Sequence, residues 1–150
     1  MDIGLARQED VAGLARLVWL HASSPEQAQQ SVEGFAADLA TWWTEHADSH
    51  VPFVARTASC DVVGMVWLAV LPRVPRPGVM TRRSADIQSC YVAPEHRGQG
   101  VASALIHAAT AHAAGLRAHR VTVQSSRKAV PVYERLGFAS SRQLLQLPGD

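Results

Sequence analysis

The run Arg97-Gly98-Gln99-Gly100-Val101-Ala102 joins a strand-like segment, Asp86 to Val92, to an alanine-rich segment with Leu105, Ile106, Ala109 and Ala113 on one side. Pro94 ends the first segment, and Gly115 is a plausible C-cap for the second. A strand that turns directly into a helix leaves several backbone N–H groups without partners at the helix start. Glycines there let a ligand approach the backbone without Cβ obstruction. The natural guest is a pyrophosphate: each charge-assisted bond contributes about 1.5–3 kcal/mol, and the helix dipole adds about 0.3–2 kcal/mol. The glycines alone fit a plain tight turn equally well. No Gly-Lys-Ser/Thr follows, so this is not a P-loop, and the turn does not follow the first strand as a dinucleotide fingerprint does.

Around this turn the chain alternates between two periodicities. Asp2 to Ala6 reads as a strand, followed by a helix with Glu9 and Asp10 in its first turn and Val11, Leu14, Leu17 and Val18 on its apolar face. A second helix starts near Pro25 and carries Val32, Phe35, Leu39 and Trp42 as one stripe. The alternation of Val51, Phe53 and Ala55, a turn at Ser59 to Asp61 and the run Val62 to Leu71 predict a hairpin. Prolines 75 and 77 interrupt it, and a loop runs to about Ala85 before the strand Asp86 to Val92. After the alanine-rich helix come a strand over His119 to Gln124, a helix over Lys128 to Leu136 stopped by Gly137, and a last strand over Arg142 to Leu147. The order βααβββαβαβ gives an α/β (α+β) fold with a mixed sheet.

One domain over residues 1–150 is expected, since 150 residues at 47% hydrophobic content supply one core. No apolar run approaches the roughly 18–20 residues of a membrane span, and the N-terminus lacks the order of a signal peptide, so a soluble, cytoplasmic protein without a membrane partner is expected. Fourteen Lys plus Arg against 13 Asp plus Glu leave no basic field for nucleic acid. Cys60 and Cys90 fit free thiols. No metal is expected: no HExxH or CxxC is present, and His107 and His112 are spaced for different faces of a helix.

The stretch from Val92 to Leu105 resembles motif A of the GCN5-related N-acetyltransferases, Gln/Arg-x-x-Gly-x-Gly/Ala, here Arg97, Gly100 and Ala102. Tyr133-Glu134-Arg135-Leu136-Gly137-Phe138 resembles their motif B, with Ala129 and Pro131 placed as such sequences often have them. The resemblance is specific over residues 86 to 138. It implies a mixed, mostly antiparallel sheet flanked by helices, and acetyl-CoA or another acyl-CoA as co-substrate. It places the diphosphate on Arg97, Gly98, Gln99, Gly100, Val101, Ala102 and Ser103, and the pantetheine arm along Cys90, Tyr91 and Val92 at a bulge. Ser126 departs from the pattern, since many relatives carry asparagine seven residues before the tyrosine, which puts pantetheine anchoring there in doubt.

Direct acyl transfer needs a neutral amine, and an amine with pKa about 10.4 costs roughly 4.6 kcal/mol to deprotonate at pH 7. The resemblance points to Asp86 as the base, with a solvated or Arg82/Arg83-paired carboxylate as the competing reading. Val121 stands where other relatives carry a glutamate, and His21, His50 and Glu45 are further candidates. It also implies that Tyr133 protonates the departing thiolate, against the reading of an aromatic packed over the sheet. A backbone N–H at the bulge near Val92 would polarise the carbonyl. Cys90 reads as a small hydrophobe rather than a nucleophile. Trp42, Trp43 and Trp67 line an acceptor pocket or the core, and Arg73, Arg76, Arg82 and Arg83 form a solvated loop or attract an acidic acceptor or the adenosine 3′-phosphate. The expected function is acetyl transfer to a small-molecule or peptide primary amine. The alternative is an acyl-CoA sensor without turnover. Homodimers are frequent among such proteins.

Overall fold

The structure, a computed structural model, describes residues 1–149. Five strands form one sheet in the order β1-β2-β3-β4-β5: β1 (Asp2–Leu5), β2 (His50–Arg56), β3 (Val62–Pro72), β4 (Arg83–Val92) and β5 (Val121–Val123). The first four pair antiparallel and β5 joins β4 in parallel, so the sheet is mixed and mostly antiparallel. The helices are α1 (Val11–His21), α2 (Ser24–Gln27), α3 (Val32–His46), α4 (Val101–Gly115) and α5 (Val130–Arg135).

The single helix expected from Pro25 to Trp42 is two. Ser23 caps α2 through a reciprocal pairing with Glu26, and Ser31 caps α3 by accepting from the Gly34 N–H at 3.1 Å. The serine at the second start outcompetes helix continuation, because its hydroxyl satisfies a donor that would otherwise be lost. The strand expected over Arg142–Leu147 does not form. Gln143 sits in a turn closed onto Ser141 Oγ, and Leu144, Leu145 and Leu147 are exposed. Apolar alternation supplies strand propensity, but a strand exists only where a neighbouring edge takes its hydrogen bonds, and no edge does so here.

The alternation of β3 sorts the two faces of the sheet. Gly64 faces α4: a Cβ there would lie 3.0 Å from Leu105 Cδ1 and 3.1 Å from Val101 Cγ1, so the missing side chain lets the start of α4 seat on the sheet. Trp67 faces the other way, with the Trp42 and Trp43 rings of α3 edge-on to it at 6.2 and 6.0 Å. Between the layers lie Leu14, Leu17, Met65, Val66, Leu68, Leu105 and Ile106, all essentially inaccessible to solvent.

One buried ion pair ties the N-terminal turn to the sheet. Asp10, at the start of α1, receives both Nε and a terminal nitrogen of Arg56 at the end of β2, and it also accepts from the Arg7 N–H. Arg56 further binds the Asp2 carboxylate and the Leu5 carbonyl. Burial pushes the Asp10 carboxyl up, but the hydrogen bonds from Arg56 and Arg7 outweigh it and hold the pKa below the usual value. A carboxylate with a depressed native pKa contributes its stability above about pH 4 and loses it as pH falls through the native value. Asp10→Ala is expected to destabilise the fold by roughly 3–5 kcal/mol in urea unfolding at pH 7, because the buried Arg56 keeps only the exposed Asp2 carboxylate and the Leu5 carbonyl as partners. Asp10→Asn should flatten the acid limb of stability below about pH 4 relative to the parent.

Candidate active site

The β4–β5 ladder is three pairs long, Ala85–Val121, Asp86–Thr122 and Ile87–Val123, and then stops. On its other side β4 stays paired with β3, but its register slips: Ile87 faces Leu68 and Ser89 faces Trp67, leaving Gln88 as an extra residue. The bulge expected near Val92 therefore lies at Gln88. It falls there because an extra residue bends the strand where it must leave its parallel neighbour. Past it, β4 and β5 diverge.

This divergence frees one edge of β4. Ala93 donates to Val63 of β3 at 2.8 Å, so by alternation the N–H groups of Val92 and Cys90 point away from β3 into the gap. There a cavity of about 360 Å³ is lined by Cys90, Tyr91, Val92, Ser126 and Tyr133 among others. It shares Val92, Arg97, Ala102 and Val132 with a second cavity of about 220 Å³ at the start of α4, which adds Gly98, Gly100, Val101 and Ser103. Of the expected cofactor contacts, only Gln99 lines neither cavity.

Gly98 and Gly100 adopt φ of 74° and 78°, a region that costs other residues about 1–2 kcal/mol. Gly100 caps α4 without a side-chain bond, and the first intrahelical bond runs from the Ala104 N–H to Gly100 O. The N–H groups of Val101, Ala102 and Ser103 thus stay free at the positive end of a 15-residue helix. The Arg97 side chain does not simply extend as a phosphate contact. Its Nε donates to the Val92 carbonyl at 2.9 Å and its guanidinium lies 5.2 Å over the Tyr91 ring, pinning the turn to β4. Lys128 and Arg135, which sequence reasoning passed over, add cations to the two cavities. Their proximity to the motif B tyrosine was the available signal.

Tyr133 of α5 is buried, with its ring edge-on to Phe138 at 5.3 Å. Burial pushes its phenol above the ordinary value, and the neighbouring Cys90 thiol raises it further. Burial likewise lifts the Cys90 thiol to about 11, partly offset by the Tyr133 hydroxyl. Both groups hold their protons at neutral pH. Burial thus disfavours the Cys90 thiolate, which argues against Cys90 as a nucleophile.

Asp86 lies on the opposite face. It pairs with Ala69, on the Trp67 side of β3, whereas Cys90 pairs with Val66 on the α4 side. Asp86 Oδ1 accepts from Thr122 Oγ1 at 2.7 Å. Neither arginine expected beside it bonds to it: Arg82 donates to the Val74 carbonyl and Arg83 to that of Leu116. On this face a cavity of about 540 Å³ opens between α3 and the bulge, bounded by Trp42, Trp67, His50, Gln88 and Ser89 among others. His50 enters it with Nδ1 2.8 Å from Ser49 Oγ and Nε2 3.1 Å from Gln88 Oε1. Trp43 packs on Trp67 behind the wall, His21 packs on Tyr91 at 5.0 Å, and Glu45 is exposed.

A family model for the acetyltransferase (GNAT) family matches residues 9–138. The chain belongs to this family. It is 31% identical over 86 residues to a glucosamine 6-phosphate N-acetyltransferase of Trypanosoma brucei brucei, a match spanning 57% of this chain and 56% of that protein. The chain therefore matches little more than half the length of that curated relative. Among solved structures, an acetyltransferase of Trypanosoma brucei superposes with TM-score 0.76 at 24% identity, covering 98% of each chain. A predicted acetyltransferase of Clostridium acetobutylicum, solved with acetyl-CoA, gives TM-score 0.71 at 18% identity, covering 98% of this chain and 95% of that one. At these identities the structures share the fold.

Within the GNAT fold the arginine-rich loop sits far from the α4 turn. Arg73, Arg76 and Arg82 cluster with His119 and Arg120 near the N-terminal end of β4, and the arginines, Arg73 foremost, push the His119 imidazole below its usual pKa. The α4 turn follows the C-terminal end of the same ten-residue strand, roughly 30 Å away. An adenosine 3′-phosphate beside that turn is therefore out of the cluster's reach. Among the described residues no three His, Cys, Asp or Glu side chains converge as metal ligands, and no helix is long and apolar enough to cross a membrane.

A Cβ on Gly100 would meet nothing within 4 Å, so Gly100→Ala strains the backbone but clashes only with a ligand in the turn. The variant is expected to lose about 1–2 kcal/mol of stability and to weaken acetyl-CoA binding at least about tenfold in calorimetry.

Proposed function

We propose that the chain transfers an acetyl group from acetyl-CoA to a primary amine by direct attack within a ternary complex. The observation that carries this reading is the gap after Ile87, which has a cation-lined groove on the α4 side and an apolar cavity on the α3 side. A long, thin co-substrate fits the first: its diphosphate on the free N–H groups of Val101 to Ser103, and its amide-bearing arm along the unpaired edge at Cys90 and Val92. The amine enters from the second.

In this reading the amine nitrogen attacks the thioester carbon, the C–N bond forms and the C–S bond breaks. A β4 N–H in the gap stabilises the oxyanion. Tyr133 donates its proton to the departing coenzyme A thiolate, whose conjugate acid lies near 8.5. The raised phenol pKa keeps Tyr133 loaded as an acid across the working range. Asp86 takes the proton that the ammonium loses before attack, and the proton that the nitrogen loses on becoming an amide restores the Tyr133 phenol. Because Asp86 does not line the α3-side cavity, the transfer to it runs through water. The Thr122 hydroxyl on Oδ1 leaves Oδ2 for that water.

Tyr133→Phe is expected to lower kcat by about 10²–10⁴-fold with acetyl-CoA affinity unchanged in calorimetry; an unchanged kcat removes the acid role. Asp86→Asn should lower kcat most at neutral pH and recover as pH approaches the amine pKa near 10. Cys90→Ala should keep thiol release, whereas its loss would favour a covalent enzyme intermediate. Thermal stabilisation by acetyl-CoA without thiol release from any amine would favour a sensor over an enzyme.

A further inference from the structure

The α3-side cavity carries information about the acceptor. Its volume of about 540 Å³ falls within the roughly 300–1,000 Å³ typical of small-ligand sites. It touches β4 at Gln88 and Ser89, immediately past the last β4–β5 pair, so a molecule filling it ends at the gap where the thioester would lie. Its far wall is Phe35, Leu39 and Trp42 of α3, with Val18 of α1 and Trp67 of β3 beside them.

These walls are flat and held in place. Trp42 is stacked on His46 at 4.4 Å and meets Trp67 and His50 edge-on at 6.2 and 4.8 Å, while Trp43 buttresses Trp67 from behind. The lining contains one carboxylate, Asp38, and neither lysine nor arginine. Its only other ionisable group is His50, whose ring nitrogens are engaged by Ser49 and Gln88.

We propose that the acceptor is a primary amine on a flat, uncharged hydrocarbon body, an arylalkylamine in chemical class. Its ring lodges against Trp42, Trp67 and Phe35, and its nitrogen reaches Ser89. This inference rests on the acetyl-transfer reading above. The acceptor arrives as an ammonium ion, which a lone carboxylate and electron-rich aromatic faces attract. Its ring then gains offset and edge-on contacts with the tryptophans.

The same lining disfavours a phosphorylated sugar, the acceptor for which the Trypanosoma relative is named. A phosphate here would meet Asp38 with no cation in the cavity to offset it, although Gln30, Gln88 and Ser89 offer polar groups to a sugar ring. The arginine-rich loop cannot supply the charge. Arg73 is six residues beyond Trp67 along the chain, roughly 20 Å away. Arg83 precedes Gln88 by five residues, roughly 16 Å, and its guanidinium is bonded to the Leu116 carbonyl. One hexosamine ring does not span either distance.

The test measures thiol release from acetyl-CoA by the full chain with phenethylamine, tryptamine, butylamine, spermidine, glucosamine and glucosamine 6-phosphate. The expected kcat/KM for the two aryl amines exceeds that for glucosamine 6-phosphate by about 100-fold or more. Trp42→Ala should raise KM for phenethylamine about tenfold, with Trp42→Phe restoring most of it and acetyl-CoA affinity unchanged in both. Turnover confined to the phosphosugar or to spermidine, or a Trp42→Ala enzyme with unchanged KM, overturns this inference and leaves acetyl transfer standing. Thiol release from none of the amines overturns the transfer reading instead. Calorimetric titration of phenethylamine into the protein saturated with coenzyme A then decides the cavity, and absence of binding overturns its assignment.

Discussion

Three residue pairs hold β5 to β4, and the rest of the site follows from the fact that there is no fourth. Gln88 bulges out of the β3–β4 ladder directly after Ile87, so β4 keeps its antiparallel partner while it swings away from its parallel one. A sheet normally satisfies every interior N–H and C=O. Here a short stretch of a central strand is left with an open edge, and that edge faces a groove leading to the free N–H groups of α4. The unsatisfied backbone is what a co-substrate with amides and phosphates can complete.

The opening also separates two chemical environments by the thickness of one strand. On the α4 side, burial keeps Tyr133 and Cys90 protonated, and Lys128 and Arg135 supply positive charge. On the α3 side, the surface is aromatic, with a single carboxylate and a histidine in the cavity wall. In the proposed reading, with Tyr133 as proton donor on one face and the amine on the other, attack and departure take opposite sides of one carbon. The same low-polarity surroundings that raise the phenol pKa argue against thiolate chemistry at Cys90, so one physical cause assigns two neighbouring residues different fates.

Away from the gap the scaffold is conventional in its energetics. Trp67, Met65 and Val66 in β3 and Leu105 and Ile106 in α4 make the core, and Gly64 permits the close seat of α4 that aims its N-terminus at the groove. The Asp10–Arg56 pair ties β1 and the start of α1 to the end of β2 at the far edge of the sheet. Buried pairs of this type fix geometry more than they add stability.

Much of this was legible in the residue pattern because it is local. The Gly98-x-Gly100 turn needs left-handed backbone, the α4 stripe of Leu105, Ile106, Ala109 and Ala113 has one buried face, and Val62 to Leu71 has no reading but a buried strand. Those features also carried the family resemblance, and the expected groove residues apart from Gln99 came together. What depends on distant partners was not legible. The bulge sits at Gln88 and not beside Val92 because β5 ends at Val123; Arg142 to Leu147 alternates like a strand yet finds no edge; Arg97 folds onto Val92; and Asp86 meets Thr122 rather than an arginine. Periodicity and turn chemistry are properties of neighbouring residues, so the sequence by itself determined most of the elements and the glycine turn before α4. Which side of β4 each reactive group faces, and the aromatic cavity assembled from α1, α3, β2, β3 and β4, were decided only when segments far apart in the chain packed together.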